Sequence, residues 1–124
     1  MDYPHVAMPA SRVLEYRRRC QKIASGQRLW VRECSLWTQP ELFSMMLVDV
    51  SLEGQEGGGT LVQAVDEMLK VAQDMGGSME YVHGVGIKLA HLLPRELGAG
   101  MEVLRRLKAT LDPHNIMNPG KLAL

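Results

Sequence analysis

The sequence has one phenylalanine and two cysteines, carries no net charge and contains no long apolar run, and each shortage removes a class of function. With 14 basic residues against 14 acidic ones, no overall field recruits nucleic acid or an anionic membrane, so specificity has to come from a shaped site or a protein surface. No stretch approaches the roughly 18–20 apolar residues of a membrane-spanning helix. Asp2 and Pro4 interrupt the start, where a signal peptide would be charged and then apolar. No nucleic-acid partner and no membrane span are expected, and a cytoplasmic location is. Cys20 and Cys34 lack metal-ligand spacing and are too few for a disulfide scaffold, which predicts reduced, packed thiols.

What is present is a chain of 124 residues, 46% of them hydrophobic, enough for one core. Nine methionines and twelve glycines stand out. Methionine fills irregular gaps and adapts to partner surfaces, which suits a core completed by another segment.

Along the chain, Ser11 is placed to cap a helix with Val13, Tyr16, Cys20 and Ile23 on its apolar face, ended by Gly26. Arg17, Arg18 and Arg19 sweep the other face; with no glycine-rich turn beside them they read as a solvated surface. Residues 27–38 and 42–52 read as two strands joined around Pro40, the second with Leu42, Ser44, Met46, Val48, Val50 and Leu52 on one face. The glycine-rich stretch 53–59 reads as a loop. Thr60 and Gln63 have the form of a capping box for a helix with the stripe Leu61, Val65, Met68, Leu69, Ala72 and Met75, which Gly76 and Gly77 end. A short strand at 78–81 leads into His83-Gly84-Val85-Gly86. A third helix then runs from about Gly100, with Met101, Leu104, Leu107, Lys108 and Leu111, to the stop at Asp112-Pro113. The order predicts an α+β fold, an antiparallel sheet covered by helices, with a C-terminal helical tail.

Two places could carry chemistry. Tyr81 and His83 precede two glycines, Gly84 and Gly86, whose backbone lets a ring or carbonyl approach, and the imidazole can exchange a proton near neutral pH. The pattern is no phosphate cradle, because the third glycine of the dinucleotide fingerprint is missing. The tail Asp112-Pro113-His114-Asn115-Ile116-Met117-Asn118-Pro119-Gly120-Lys121 sets a polar cluster at a fixed distance after the last helix. His5, His91 and His114 stand apart from any acid at ligand spacing and read as surface or loop residues.

Taken together, Gly76-Gly77-Ser78, the histidine–glycine loop, the intervening Leu93-Pro94 and this tail resemble the C-terminal part of the FAD-linked oxidases. That family includes vanillyl-alcohol oxidase, glycolate oxidase flavoprotein subunits, D-lactate dehydrogenases and alkyldihydroxyacetonephosphate synthase. The resemblance runs from about Pro9 to Leu122. It implies half of a ferredoxin-like substrate-binding cap at residues 1–80, then at 81–124 the histidine–glycine loop, helix and tail returning to the flavin. It also implies FAD as cofactor, held with an N-terminal FAD-binding domain or subunit that this sequence does not contain. A small-molecule substrate, a hydroxy acid, alcohol or phenol, would give up a hydride. Tyr81 and His83 would face substrate as the catalytic pair, with Gly84, Gly86, Asn118 and Lys121 against the cofactor. The sequence departs from the family in two ways. Glycolate-oxidase and D-lactate-type members carry a glutamate before the histidine as part of a metal-associated site, where this chain has Val82, and their histidine-rich strand motif is missing from 45–54. No metal is expected. Three consecutive histidines mark the synthase branch, and only His83 of them is kept here. Two other readings stay open, a non-catalytic truncated cap fragment and a small-molecule binding or interaction module. An apolar face left by missing partners would favour a homo-oligomer.

Overall fold

The computed structural model describes residues 1–36, 41–49 and 59–124. The expected joint at Pro40, the strand positions Thr38, Val50 and Leu52, and the loop residues 53–58 lie outside the described residues. The chain divides into two compact units, Met1–Val82 and His83–Leu124.

The first unit is an α+β layer. Its elements are β1 (His5–Ala7), α1 (Val13–Gly26), β2 (Leu29–Leu36), β3 (Leu42–Asp49) and α2 (Gly59–Asp74). The sheet order is β1-β3-β2, and both pairings are antiparallel. β1 is absent from the expected element order, because a three-residue strand between Pro4 and Met8 is too short to show a period. Backbone bonds between Asp2 and Leu47, at 2.9 and 3.0 Å, extend its pairing towards the N-terminus. The register of β2 slips between Val31 and Glu33, leaving Arg32 as the extra residue of a bulge.

Burial distinguishes the two faces of β3. Phe43, Met45, Leu47 and Asp49 are buried, whereas on the expected shared face Leu42, Met46 and Val48 are half-buried and Ser44 alone of its described positions is buried. A central strand is apolar on both sides, so its pattern cannot by itself choose the helix-covered face. Packing chooses it: Tyr16 of α1 meets Phe43 edge-on at 5.8 Å, and the Tyr16 hydroxyl donates to the Met68 carbonyl of α2 at 3.2 Å. The stripe on α2 is buried as expected, joined by Ala64. On α1, Ala24 replaces half-buried Ile23 as the last buried position. Arg17, Arg18 and Arg19 are exposed, and Arg18 and Arg19 pair with Glu15 at 3.6 and 3.0 Å.

The caps differ from expectation. Ser11 lies inside a 3-10 turn (Ala10–Arg12), closed by the Arg12 N–H on the Pro9 carbonyl at 2.8 Å, and α1 begins without a side-chain cap. Thr60 sits within the first turn of α2 rather than ahead of it. The C-terminus of α2 is a Schellman motif: the Gly77 N–H reaches the Ala72 carbonyl at 2.8 Å and the Gly76 N–H reaches the Gln73 carbonyl at 3.0 Å. Gly76 takes the left-handed conformation, φ +74°, that this motif requires. The expected strand at 78–81 reduces to one bridge, in which Ser78 and Ala7 exchange backbone bonds at 2.7 and 3.2 Å. His5 is a buried β1 residue opposite Ser44, against the expectation of a surface histidine.

The second unit is helical. A 3-10 turn (Ala90–Leu92) feeds a short α3 (Leu93–Leu97), then α4 (Gly100–Leu111), and a last 3-10 turn (Lys121–Ala123). Five residues are too few for α3 to show a helical period, but Pro94 in its first turn is the residue that position favours. Of the apolar positions expected on α4 only Met101 is buried; Leu104 is half-buried, Leu107 and Leu111 are 52 and 76% exposed, and Val103, outside that expectation, is 58% exposed.

Two outcomes test this packing. A Cβ at Gly77 would lie 2.6 Å from the Ala7 carbonyl oxygen, so Gly77→Ala should cost about 1–3 kcal/mol, read from urea unfolding. Burial pushes the Cys20 thiol up to about 12. An acid whose folded pKa is raised contributes in full below its unfolded value, about 8.5 for a thiol, and that stability is lost as pH rises towards the folded value. The urea midpoint should therefore fall between about pH 9 and 12, and Cys20→Ala should flatten the early part of the fall.

Candidate functional site

The turn at Gly76-Gly77 returns the chain from α2 to the edge of β1, and the segment beyond it carries Tyr81. Met79 is buried, which anchors the segment, and Tyr81 and Val82 beyond it are 56 and 50% exposed. Glu80 braces the bend. Its carbonyl accepts from the Ser78 hydroxyl at 3.2 Å, and its Oε1 accepts from the Val82 N–H at 2.6 Å. Tyr81 and Val82 line a small, almost wholly apolar recess of about 10 Å3 with His5, Val6, Leu42 and Phe43.

In the second unit His83, Gly84 and Gly86 are exposed, and both glycines have positive φ, +76° and +54°. A Cβ at either would meet nothing within 4 Å, so the loop is open to a flat group laid against its backbone. Two bonds hold its far end. The Val85 carbonyl accepts from the Leu89 N–H and the Gly86 carbonyl from the Leu122 N–H, each at 3.2 Å. The structure thus brings the tail to the glycine loop, as far as Gly86. Asn118, with φ +49°, and Lys121 lie in the exposed turns leading to that contact, and the Lys121 N–H points to the Asn118 carbonyl at 3.4 Å. Tyr81 belongs to the first unit and the other five candidates to the second.

Sequence reasoning missed Asp112 and Lys108 as more than a helix stop. Asp112 is buried; its Oδ1 and Oδ2 accept the Ile116 and Met117 N–H groups, both at 2.9 Å, and Lys108 pairs with it. The hydrogen bond from Lys108, followed by those backbone donors, holds the Asp112 carboxyl below the usual carboxylate range. The available signal was a lysine four residues before an aspartate at a helix end.

The family model for the C-terminal domain of FAD linked oxidases matches residues 2–122, and the chain belongs to that family. It is 42% identical over 64 residues to the mitochondrial D-lactate dehydrogenase (cytochrome) 1 of Saccharomyces cerevisiae, covering 51% of this chain and 11% of that protein. It is 41% identical over 61 residues to the glycolate oxidase subunit GlcD of Bacillus subtilis, covering 48% of this chain and 13% of that subunit. Against D-2-hydroxyglutarate dehydrogenase of Pantoea ananatis the identity is 39% over 61 residues, 48% of this chain and 6% of that protein. The matches therefore span 6 to 13% of these curated relatives.

The family is FAD-linked, and the residues present fit the edge of such a group. Gly84 and Gly86 leave room for a flat ring, the Asn118–Lys121 turns lie on the segment tied to that loop, and His83 is accessible. A metal is a different matter. Among the described residues no group of three His, Cys, Asp or Glu side chains is placed to hold an ion. Glu80 braces the Val82 N–H, and Val82 itself faces the apolar recess. Dialysis against a chelator should leave the thermal midpoint of the protein unchanged; a drop reversed by zinc or manganese would show a metal site.

Proposed function

We propose that this chain is the C-terminal segment of an FAD-dependent oxidoreductase that takes a hydride from a small 2-hydroxy acid, and that it supplies the wall facing substrate and flavin. The observation that carries this reading is the Leu122–Gly86 bond, which ties the Asn-Pro-Gly-Lys tail to the exposed histidine–glycine loop. The substrate class is supported by the relatives, whose names refer to D-lactate, glycolate and D-2-hydroxyglutarate, all 2-hydroxy acids. When bound, FAD supplies the two-electron acceptor. The chain's own part is orientation and proton handling. The His83 imidazole takes the hydroxyl proton, Tyr81 positions the substrate, and Gly84, Gly86, Asn118 and Lys121 form the backbone and polar contacts to the cofactor.

The partner in this reading is a FAD-binding domain, on the same polypeptide or another. The exposed apolar row Val103, Leu107 and Leu111, continued by Ile116 and Met117 at 78 and 63% exposure, supports completion by further protein.

The chain mixed with FAD and then desalted should be colourless. A flavin band that stays with it would overturn the reading that it forms one wall only. In the assembled flavoenzyme, His83→Ala should lower kcat for the 2-hydroxy acid about 10²–10⁴-fold with the flavin band intact. Unchanged turnover of D-lactate, glycolate and D-2-hydroxyglutarate would remove His83 from the reaction.

A further inference from the structure

One carboxylate organises the whole tail. Lys108 and Asp112 sit four residues apart at the end of α4, with side chains only 20 and 5% exposed. The Lys108 ammonium donates to Asp112 Oδ2 and, at 2.6 Å, to the Met117 carbonyl. Asp112 in turn accepts the Ile116 and Met117 N–H groups through its side chain, and the Asn115 N–H through its carbonyl at 3.0 Å. Four elements of the turn therefore converge on one acid and one cation. Through the turn and the tail the backbone takes left-handed conformations at Asn115, Asn118, Gly120 and Leu122, with φ of 49°, 49°, 76° and 58°, and Leu122 there reaches Gly86. Asparagine and glycine are the residues that adopt such angles at least cost.

We propose that the Lys108–Asp112 clasp is a positioning device for the histidine–glycine loop: it sets the path of the tail so that the Leu122 N–H meets the Gly86 carbonyl, and so holds the loop that carries His83. The assignment rests on the proposed role of that loop at the flavin site. Asp112 acts through the tail and is a positioning residue; it touches no reacting atom. The chemistry demands a carboxylate. Ile116, Met117 and Lys108 all present donors to it, and an asparagine would offer one oxygen and turn an NH2 group towards another donor.

The test is amide hydrogen exchange and 15N spectroscopy on the full chain, with Asp112→Asn against Glu102→Gln, which removes only the exposed ion pair to Arg106. In Asp112→Asn the Leu122 amide should exchange about tenfold faster or more, consistent with the loss of charge-assisted bonds. The Gly84, Gly86 and His83 resonances should shift with it, while Leu47 and Met68 in the first unit stay as they are. Glu102→Gln should move none of them. If Ile116 and Met117 lose protection but Leu122, Gly84 and Gly86 do not respond, the clasp shapes the turn alone and the proposal is wrong. Should Asp112→Asn unfold the second unit, Lys108→Gln keeps the carboxylate bonds to Ile116 and Met117 and should give the same shifts in smaller degree; no shift there would also overturn it. None of these readouts needs flavin. A silent His83→Ala enzyme together with a responsive loop would reject the proposed reaction and keep the clasp.

Discussion

The placing of Tyr81 depends on the close passage of Gly77 over the Ala7 carbonyl. Helix α2 packs its full apolar stripe on α1 and the sheet, and the chain must then reverse and reach the β1 edge with no room for a side chain between them. The Schellman bonds close the reversal, and the Arg12 guanidinium, donating to the Met75 carbonyl, ties the helix end to the turn that begins α1. From there the two Ser78–Ala7 bonds fix the direction of the next residues, buried Met79 anchors them, and Tyr81 emerges beside His5 and Phe43. A single methyl group at Gly77 would therefore disturb both the core and a candidate substrate contact, which is why the glycine pair carries more information than its composition suggests.

Much of this was legible in the sequence where periods are long. The stripe on α2, the Gly76-Gly77 stop and the span of α4 follow from repeats of three and four residues and from glycine and proline punctuation, and all three are where the pattern puts them. Short elements were not legible: β1 and α3 have three and five residues, less than two periods of any pattern. The inward face of β3 was hidden for another reason. Leu-Phe-Ser-Met-Met-Leu-Val is apolar at nearly every position, and only the Tyr16 ring, distant in sequence, selects Phe43. Caps at Ser11 and Thr60 were misplaced by a few residues because hydroxyl side chains are common near helix starts without bonding to them.

The candidate site divides along similar lines. His83, Gly84 and Gly86 declare themselves by residue type, and both glycines take positive φ in the structure. Asp112 did not declare itself, because an Asp-Pro pair after a helix is an ordinary stop signal. Its second role needs Ile116 and Met117 to fold back on it, and a bond from a carboxylate to backbone N–H groups leaves no mark in the sequence.

Val82 and Glu80 show how a small departure changes the chemistry open to a site. A carboxylate at position 82 would stand half-exposed beside Val6, Leu42 and Phe43 and could offer oxygens to a cation. Valine offers no ligand atom, and the acid two residues earlier spends Oε1 on the Val82 N–H. The recess that Val82 faces is thus apolar. The first unit's surface around Tyr81 therefore offers shape and apolar contact rather than a charged grip.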